Sequence, residues 1–101
     1  MKPVRFHPAA ELELAAEAGY YDEWFPGLGE RFVREVEAAV QLASAFPLIG
    51  SPYKHGTRRV FPKKFPFSIV YQVLTKEIVI LAIAPFPRQM AYWRQRKGSE
   101  S

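Results

Sequence analysis

The chain has no cysteine among its 101 residues. This absence excludes a disulfide framework, a thiolate metal site and a cysteine nucleophile. It fits a reducing compartment, so we expect a cytoplasmic protein. Residues 1–5 lack the apolar segment of a secretory signal, and the longest strongly apolar stretch, residues 78–86, is too short to cross a bilayer. We therefore expect no membrane partner.

Acidic residues are scarce in the second half of the chain. Residues 51–101 contain only Glu77 and Glu100 against ten Lys/Arg, a net charge of +8. Residues 1–50 contain eight Asp/Glu against four Lys/Arg, a net charge of −4. A basic region with interleaved aromatic residues favours a polyanionic partner, either nucleic acid or an acidic protein.

The chain also lacks the motifs of common cofactor sites. It contains neither a P-loop nor a dinucleotide-binding fingerprint, and its two histidines have no partner at metal-ligand spacing. We therefore expect no cofactor and no metal. The length predicts a single domain over residues 1–101.

The first half predicts two helices. After a short strand at residues 4–6, Leu14, Ala18, Tyr21 and Phe25 recur at helical spacing over residues 9–24. Residues 26–27, Pro-Gly, end this helix, and a second apolar stripe predicts a helix over residues 28–46. These elements form a two-helix hairpin.

In the second half the apolar period changes from 3.6 to 2. Residues 48–56 are rich in Pro and Gly and predict a loop, and residues 59–61, 67–73 and 77–84 predict strands. Residues 88–97 are predicted to be a short basic tail and are a candidate for a final helix. The predicted fold is α+β, in the order β-α-α-β-β-β(-α), with an antiparallel sheet and the helix hairpin packed on one face.

Arg58 and Arg59 are the first candidate binding residues. Neighbouring strand residues point to opposite faces, so the two arginines should have different surroundings. A guanidinium on a sheet face suits a phosphate, because its donors match two phosphate oxygens at once. The alternative is a solvated strand face with one ion pair.

Lys63 and Lys64 lie in the next connection, between two prolines. Lysines at such a position attract phosphate without sequence specificity. They equally serve as charge that blunts a strand end.

The third group lies near the end of the chain. It consists of Arg88, Tyr92, Trp93, Arg94 and Arg96. Aromatic rings can stack on bases while arginines hold phosphates. Alternatively, Trp93 fills the end of the core and the arginines are merely exposed. A structural role is the stronger interpretation for Trp93, and also for His7 at its strand–helix junction.

In order, these segments resemble the RelE/ParE superfamily of bacterial type II toxin–antitoxin toxins, often labelled plasmid stabilisation proteins. The matching segments are residues 6–14, 20–21, 26–32, 46–47, 58–60, 64–71, 80–84, Arg88 and residues 92–93. The resemblance implies a compact α/β toxin fold and growth inhibition. It also implies a cognate antitoxin that covers the basic face.

The superfamily has two activities, and the resemblance leaves both open. RelE-like members cut mRNA on the ribosome without a metal, whereas ParE-like members poison DNA gyrase. The length and the pattern of residues 58–71 look closer to the ParE-like branch. Many relatives carry a histidine shortly before the position of Arg88, but residues 85–87 here are Pro-Phe-Pro. Cleavage through the RNA 2′-hydroxyl needs a base, an acid and cations.

The prediction is therefore a toxin that inhibits gyrase by binding. The alternatives are a ribosome-dependent mRNA endoribonuclease and a degenerate member that only binds its antitoxin. If the chain is an enzyme, Arg58, Arg88 and Tyr92 are the catalytic candidates. Nucleic-acid or target binding is assigned to Arg59, Lys63, Lys64, Trp93, Arg94 and Arg96.

Overall fold

The computed structural model describes residues 1–86 and 92–98. These residues form two helices, five strands and two short 3-10 turns. The elements are β1 (Val4–Phe6), α1 (Pro8–Trp24), α2 (Leu28–Ala45), β2 (Ser51–Tyr53), β3 (Thr57–Val60), β4 (Phe67–Val73) and β5 (Ile78–Pro85), with 3-10 turns at Lys54–Gly56 and Arg94–Arg96. The predicted α+β class is confirmed.

The five strands form one sheet in the order β1-β5-β4-β3-β2. All neighbouring strands are antiparallel except β1, which runs parallel to β5 with Val4 opposite Ile78 and Phe6 opposite Ile80. The sheet is therefore mixed, and the predicted antiparallel arrangement does not extend to this edge. A parallel pair needs a long connection, and here the two helices and strands β2 to β4 lie between β1 and β5.

Side chains at both helix beginnings explain where the helices start. Nδ1 of His7 accepts a hydrogen bond from the Ala9 amide at 3.0 Å and caps α1. Asp22, near the end of α1, accepts hydrogen bonds from the amides of Gly27 at 3.2 Å and Gly29 at 2.8 Å. One helix thus satisfies free N–H groups at the start of the next.

The helices cover one face of the sheet and enclose the larger core. Phe32 lies at its centre, with ring centroids 5.2 Å from Tyr21, 5.2 Å from Phe65 and 4.9 Å from Phe67. The predicted stripe of α1 holds except at Phe25, which is 68% exposed because it is the C-cap residue where the chain turns. Aromatic contacts therefore join the hairpin to the sheet.

The opposite face of the sheet carries a smaller core. Its buried members are Val70, Leu74, Val79, Leu81, Ala82 and Trp93. The β4–β5 register skips Leu81, and this bulge lets Leu81 and Ala82 join the same cluster although they are consecutive. Trp93, only 1% exposed, covers this face. One face thus has a helical cover, and the other is covered by the segment at residues 92–98.

Two predicted segments differ from the structure. Residues 48–56, predicted as a loop, contain β2, which pairs with β3 through Ser51 opposite Arg59. A central Pro52 hides this strand in the sequence, but an edge strand tolerates proline because no partner needs its missing N–H. In the basic tail, residues 92–98 form only a 3-10 turn, and residues 88–91 lie outside the described residues.

No helix in the described part of the chain could cross a membrane.

Candidate partner-binding surface

Arg58 lies on the helix-covered face of the sheet, opposite Tyr71 on β4. Its Nη1 donates hydrogen bonds to the carbonyl oxygens of Leu48 at 3.1 Å and Gly50 at 2.7 Å. The guanidinium therefore fastens the turn after α2 to the sheet. These internal contacts weigh against a free phosphate clamp at Arg58.

Tyr71 holds the same turn. Its hydroxyl donates to the Pro47 carbonyl at 2.7 Å and accepts from the Gly50 amide at 3.0 Å. Burial raises the pKa of this hydroxyl, although the Gly50 hydrogen bond and the Arg58 charge act in the opposite direction. No role for Tyr71 was predicted from the sequence. The available signal was a tyrosine within a mostly apolar strand, since a buried tyrosine hydroxyl usually has a partner.

Arg59 lies on the other face and has different surroundings. Its guanidinium carbon is 4.2 Å from the ring centre of Tyr53 and 5.2 Å from that of Phe61, within cation–π range. Its Nη1 lies 3.5 Å from Oγ of Ser68, a contact at the limit of a hydrogen bond. Its Nε is buried and has no hydrogen-bond partner among the described residues. Arg59 thus keeps unused donor capacity.

A groove of about 400 Å³ lies between α2 and the β2–β3 edge, and we call it the α2–β2 groove. Its lining includes Glu35, Leu42, Ile49, Arg59, Phe61 and Lys63. The three apolar side chains in this set are 44% to 49% exposed. The groove therefore combines an open apolar surface with two cations and one carboxylate.

A larger groove, of about 970 Å³, lies between the helices and β1. Its charged lining residues are Glu11, Arg34 and Glu37, and Arg34 already pairs with Glu30 at 2.8 Å. This groove belongs to the acidic half of the chain and does not suit an anionic ligand.

Lys63 and Lys64 lie in the connection between β3 and β4, and both side chains are exposed. Lys64 has a φ of 69°, the left-handed conformation of a tight turn. Lys63 also lines the α2–β2 groove and adds positive charge to it.

Arg96 is held within the chain, a contact that the sequence did not reveal. Its guanidinium lies 3.1 Å from each of two oxygens of Glu13 and donates to the Leu81 carbonyl at 2.9 Å. Glu13 also accepts from the Ile83 amide at 3.0 Å. The pairing with β1 stops at residue 80, so this ion pair covers the free edge of β5 beyond it.

The other chain-end candidates are placed differently. Trp93 is buried, in agreement with its structural interpretation. The Tyr92 ring lies 5.1 Å from the Arg96 guanidinium carbon, and its hydroxyl is buried from solvent. Arg94 is exposed. Arg88 lies outside the described residues.

The two histidines have different surroundings. His7 uses its Nδ1 to cap α1. His55 is exposed at a φ of 59°, with its ring 6.2 Å from that of Trp93. Within residues 1–86 and 92–98, no group of three or more His, Cys, Asp or Glu could hold a metal ion.

Comparisons with known proteins identify the family. Residues 4–89 match the family described as ParE toxin of type II toxin-antitoxin system, parDE. The chain belongs to the ParE toxin family. A solved structure described as the chromosomal ParDE TA system from P. aeruginosa is 26% identical, with a TM-score of 0.75, and the match covers 84% of this chain and 96% of that chain. None of the curated proteins matches significantly in sequence. The RelE/ParE resemblance is therefore confirmed.

Proposed function

We propose that this ParE-family toxin acts in the cytoplasm by binding DNA gyrase, and that a cognate antitoxin neutralises it. The observation that carries the proposal is the internal engagement of Arg58. This candidate for RNA chemistry donates to two carbonyl oxygens of its own chain. A guanidinium held in this way stabilises the fold and is poorly placed to neutralise a reacting phosphate.

The alternative, mRNA cleavage, needs a base, an acid and free cations around one phosphate. In the described residues, His7 caps a helix and Arg96 pairs with Glu13. The Tyr92 hydroxyl is buried from solvent. These arrangements favour inhibition by binding over catalysis.

The antitoxin partner is supported by family membership and by charge. The matching family is that of toxins of type II toxin-antitoxin systems. The basic half of the chain complements an acidic polypeptide. The exposed cations Arg94, Lys63 and Lys64 remain available for such a partner or for the target.

Expression without the adjacent antitoxin gene tests the mechanism. Growth is expected to stop with loss of DNA synthesis, and the purified protein is expected to inhibit supercoiling by gyrase. Rapid mRNA cleavage at codon positions on ribosomes, with DNA synthesis intact, would instead establish the RelE-like alternative. Unaffected growth together with antitoxin binding would identify a degenerate member.

The candidate residue Arg88, near the end of the chain, is tested separately. Arg88→Ala is expected to relieve toxicity while antitoxin binding is largely retained. Full toxicity of this variant would show that Arg88 is assigned incorrectly.

A further inference from the structure

We propose that the exposed face of α1 binds a positively charged, amphipathic helix of the target protein. The proposal rests on the proposed action on DNA gyrase and names the surface through which the toxin contacts it. We call this surface the α1 outer face and define it by four exposed residues, Leu12, Ala16, Tyr20 and Trp24. It lies in the acidic half of the chain and adds a contact surface to the basic candidates of the second half.

The α1 outer face is a continuous apolar stripe. Its four residues follow one another at intervals of four, so the stripe is about 18 Å long at a rise of about 1.5 Å per residue. Leu12 is 72% exposed, Tyr20 51% and Trp24 71%. The rings of Tyr20 and Trp24 contact each other edge to face, with centroids 6.0 Å apart. A stripe of this kind, unlike a single exposed apolar side chain, marks an interaction surface.

Helix α2 shows what a solvated helix face looks like in this protein. Its apolar stripe faces the core, and its solvent-facing stripe carries Glu30, Arg34, Glu37 and Gln41. Helix α1 also has a core-facing stripe, which includes Leu14 and Ala18. It is therefore apolar on both sides, and packing within the chain accounts for only one of them.

Gly19 lies beside the outer stripe, in the interior of α1. A glycine at such a position destabilises a helix relative to alanine. Beyond its own helix turn, a Cβ at Gly19 would meet no atom of the described residues within 4 Å, so packing inside the chain does not require a glycine here. A partner helix that crosses α1 at this point approaches more closely because the side chain is absent.

The charge of α1 specifies the chemistry of the partner. The helix contains five carboxylates and no Lys or Arg. Glu17 and Glu23 lie three residues before and after Tyr20, and neither forms an ion pair among the described residues. A second copy of α1, or a nucleic acid, would bring like charges together and is disfavoured. A helix with Lys or Arg beside its apolar stripe pairs with these carboxylates, and its cations can also stack on Tyr20 and Trp24.

Affinity for the purified gyrase holoenzyme tests the apolar part of this surface. Trp24→Gln removes a ring that is 71% exposed, and we expect affinity to fall about ten- to hundredfold, as for a central aromatic residue of an interface. Phe46→Gln is the matched control, because Phe46 is an aromatic residue at the end of α2 and is 61% exposed. Its expected change is less than about threefold. Equal affinities of the two variants would overturn the proposal.

Charge reversal tests the chemistry of the partner. Glu23→Lys is expected to weaken binding to gyrase about three- to tenfold at low salt, and less at high salt, because it repels the cations of the partner. Glu37→Lys makes the same change of charge on the exposed face of α2, with an expected change of less than about twofold. Tighter binding by Glu23→Lys would mean that the partner surface is acidic, contrary to the proposal.

A third variant separates binding from folding. Gly19→Gln replaces glycine by a better helix former and fills the space beside the stripe. Its midpoint of urea unfolding should rise, while its affinity for gyrase should fall about tenfold. A more stable toxin that binds less tightly cannot be explained by misfolding. Unchanged affinity would show that no helix packs closely at Gly19.

These outcomes separate the α1 outer face from the proposed function. If the wild-type toxin binds gyrase and the variants of Gly19, Glu23 and Trp24 bind equally well, only this surface is wrong. If the wild-type toxin does not bind gyrase, the proposed function itself is wrong.

Discussion

The two faces of the sheet are covered in different ways. The helix hairpin covers its face mainly with apolar and aromatic side chains around Phe32. The segment at residues 92–98 contributes Trp93 as a large apolar anchor and relies on polar contacts for much of the rest. Gln72 exchanges two hydrogen bonds with Gly98, at 2.9 and 3.2 Å, and Lys97 donates to the carbonyl of His55.

The polar contacts of residues 92–98 account for part of the positive charge in residues 51–101. Arg58, Arg96 and Lys97 donate to groups of their own chain. They hold a turn and the chain-end cover in place. The net charge of +8 therefore overstates the positive surface that a partner meets. Arg59 is different because its Nε is buried without a hydrogen-bond partner among the described residues.

The largest expected effect on stability comes from a substitution in the apolar core beneath the helix hairpin. Phe32 is fully buried, so Phe32→Ala should lower the free energy of unfolding by about 3–5 kcal/mol, through lost burial and a cavity. Phe46→Ala is the control, since Phe46 is 61% exposed, and it should change stability by less than about 0.5 kcal/mol. Urea unfolding measures both. Similar losses would contradict the central place of Phe32.

The next largest effect comes from breaking a polar contact of the segment at residues 92–98. Arg96→Met removes one partner of an ion pair whose side chains are 18% exposed, and it leaves the Glu13 carboxylate partly buried. We expect a loss of about 2–3 kcal/mol, below the cost for a fully buried pair. Proteolysis should cleave near residues 92–98 sooner in this variant. A double-mutant cycle with Glu13→Gln should show coupling, and strictly additive losses would contradict the pairing.

A smaller effect concerns the turn that Tyr71 holds beneath the helical cover. Tyr71→Phe leaves the Gly50 amide and the Pro47 carbonyl without this partner, and we expect a loss of about 1–2 kcal/mol near neutral pH. Because burial raises the pKa of Tyr71 in the folded state, its contribution is complete below the unfolded value near pH 10. It is lost as the pH rises through the folded pKa.

Urea unfolding at neutral and strongly alkaline pH measures this contribution. The gap in stability between wild type and Tyr71→Phe should narrow as the pH rises above about 10. Tyr21, whose pKa is also raised by burial, is present in both proteins and does not affect the comparison. A constant gap would show that the Tyr71 hydroxyl does not titrate as described.

The sequence predicted the elements whose burial is periodic. The α2 stripe of Phe32, Val36, Val40 and Ala43 is buried, and the strand prediction for residues 67–73 agrees with β4. Strand β2 was missed because three residues with a central proline carry no period. The parallel pairing of β1 could not be predicted, since it joins residues more than seventy positions apart.

The candidate surface was predictable only in part. Alternation along β3 showed that Arg58 and Arg59 face opposite ways. It could not show which guanidinium would donate to its own chain, because that depends on the turn at residues 47–50 folding back onto β3. The Glu13–Arg96 pair is equally invisible, since it joins α1 to the chain end.

The smallest expected effect on stability concerns an ion pair that belongs neither to the helix hairpin nor to the segment at residues 92–98. Arg5 on edge strand β1 pairs with Glu77 beside the β4–β5 turn at 2.8 Å, and the Arg5 and Glu77 side chains are 53% and 30% exposed. The hydrogen bond from Arg5 lowers the pKa of Glu77. A lowered folded pKa gives a contribution that is present above the unfolded value and is lost as the pH falls through the folded value. Solvent screening keeps this contribution small.

Glu77→Gln should therefore change the free energy of unfolding less than Tyr71→Phe does at neutral pH. Because the variant lacks the Glu77 carboxyl, its stability should also fall slightly less than that of the wild type as the pH is lowered. Added salt should weaken the wild-type contribution further, because exposed pairs are screened. If Glu77→Gln instead costs as much as Arg96→Met, exposed and partly buried ion pairs would contribute alike. The distinction between charges that stabilise the segment at residues 92–98 and exposed charges that remain available to a partner would then be wrong.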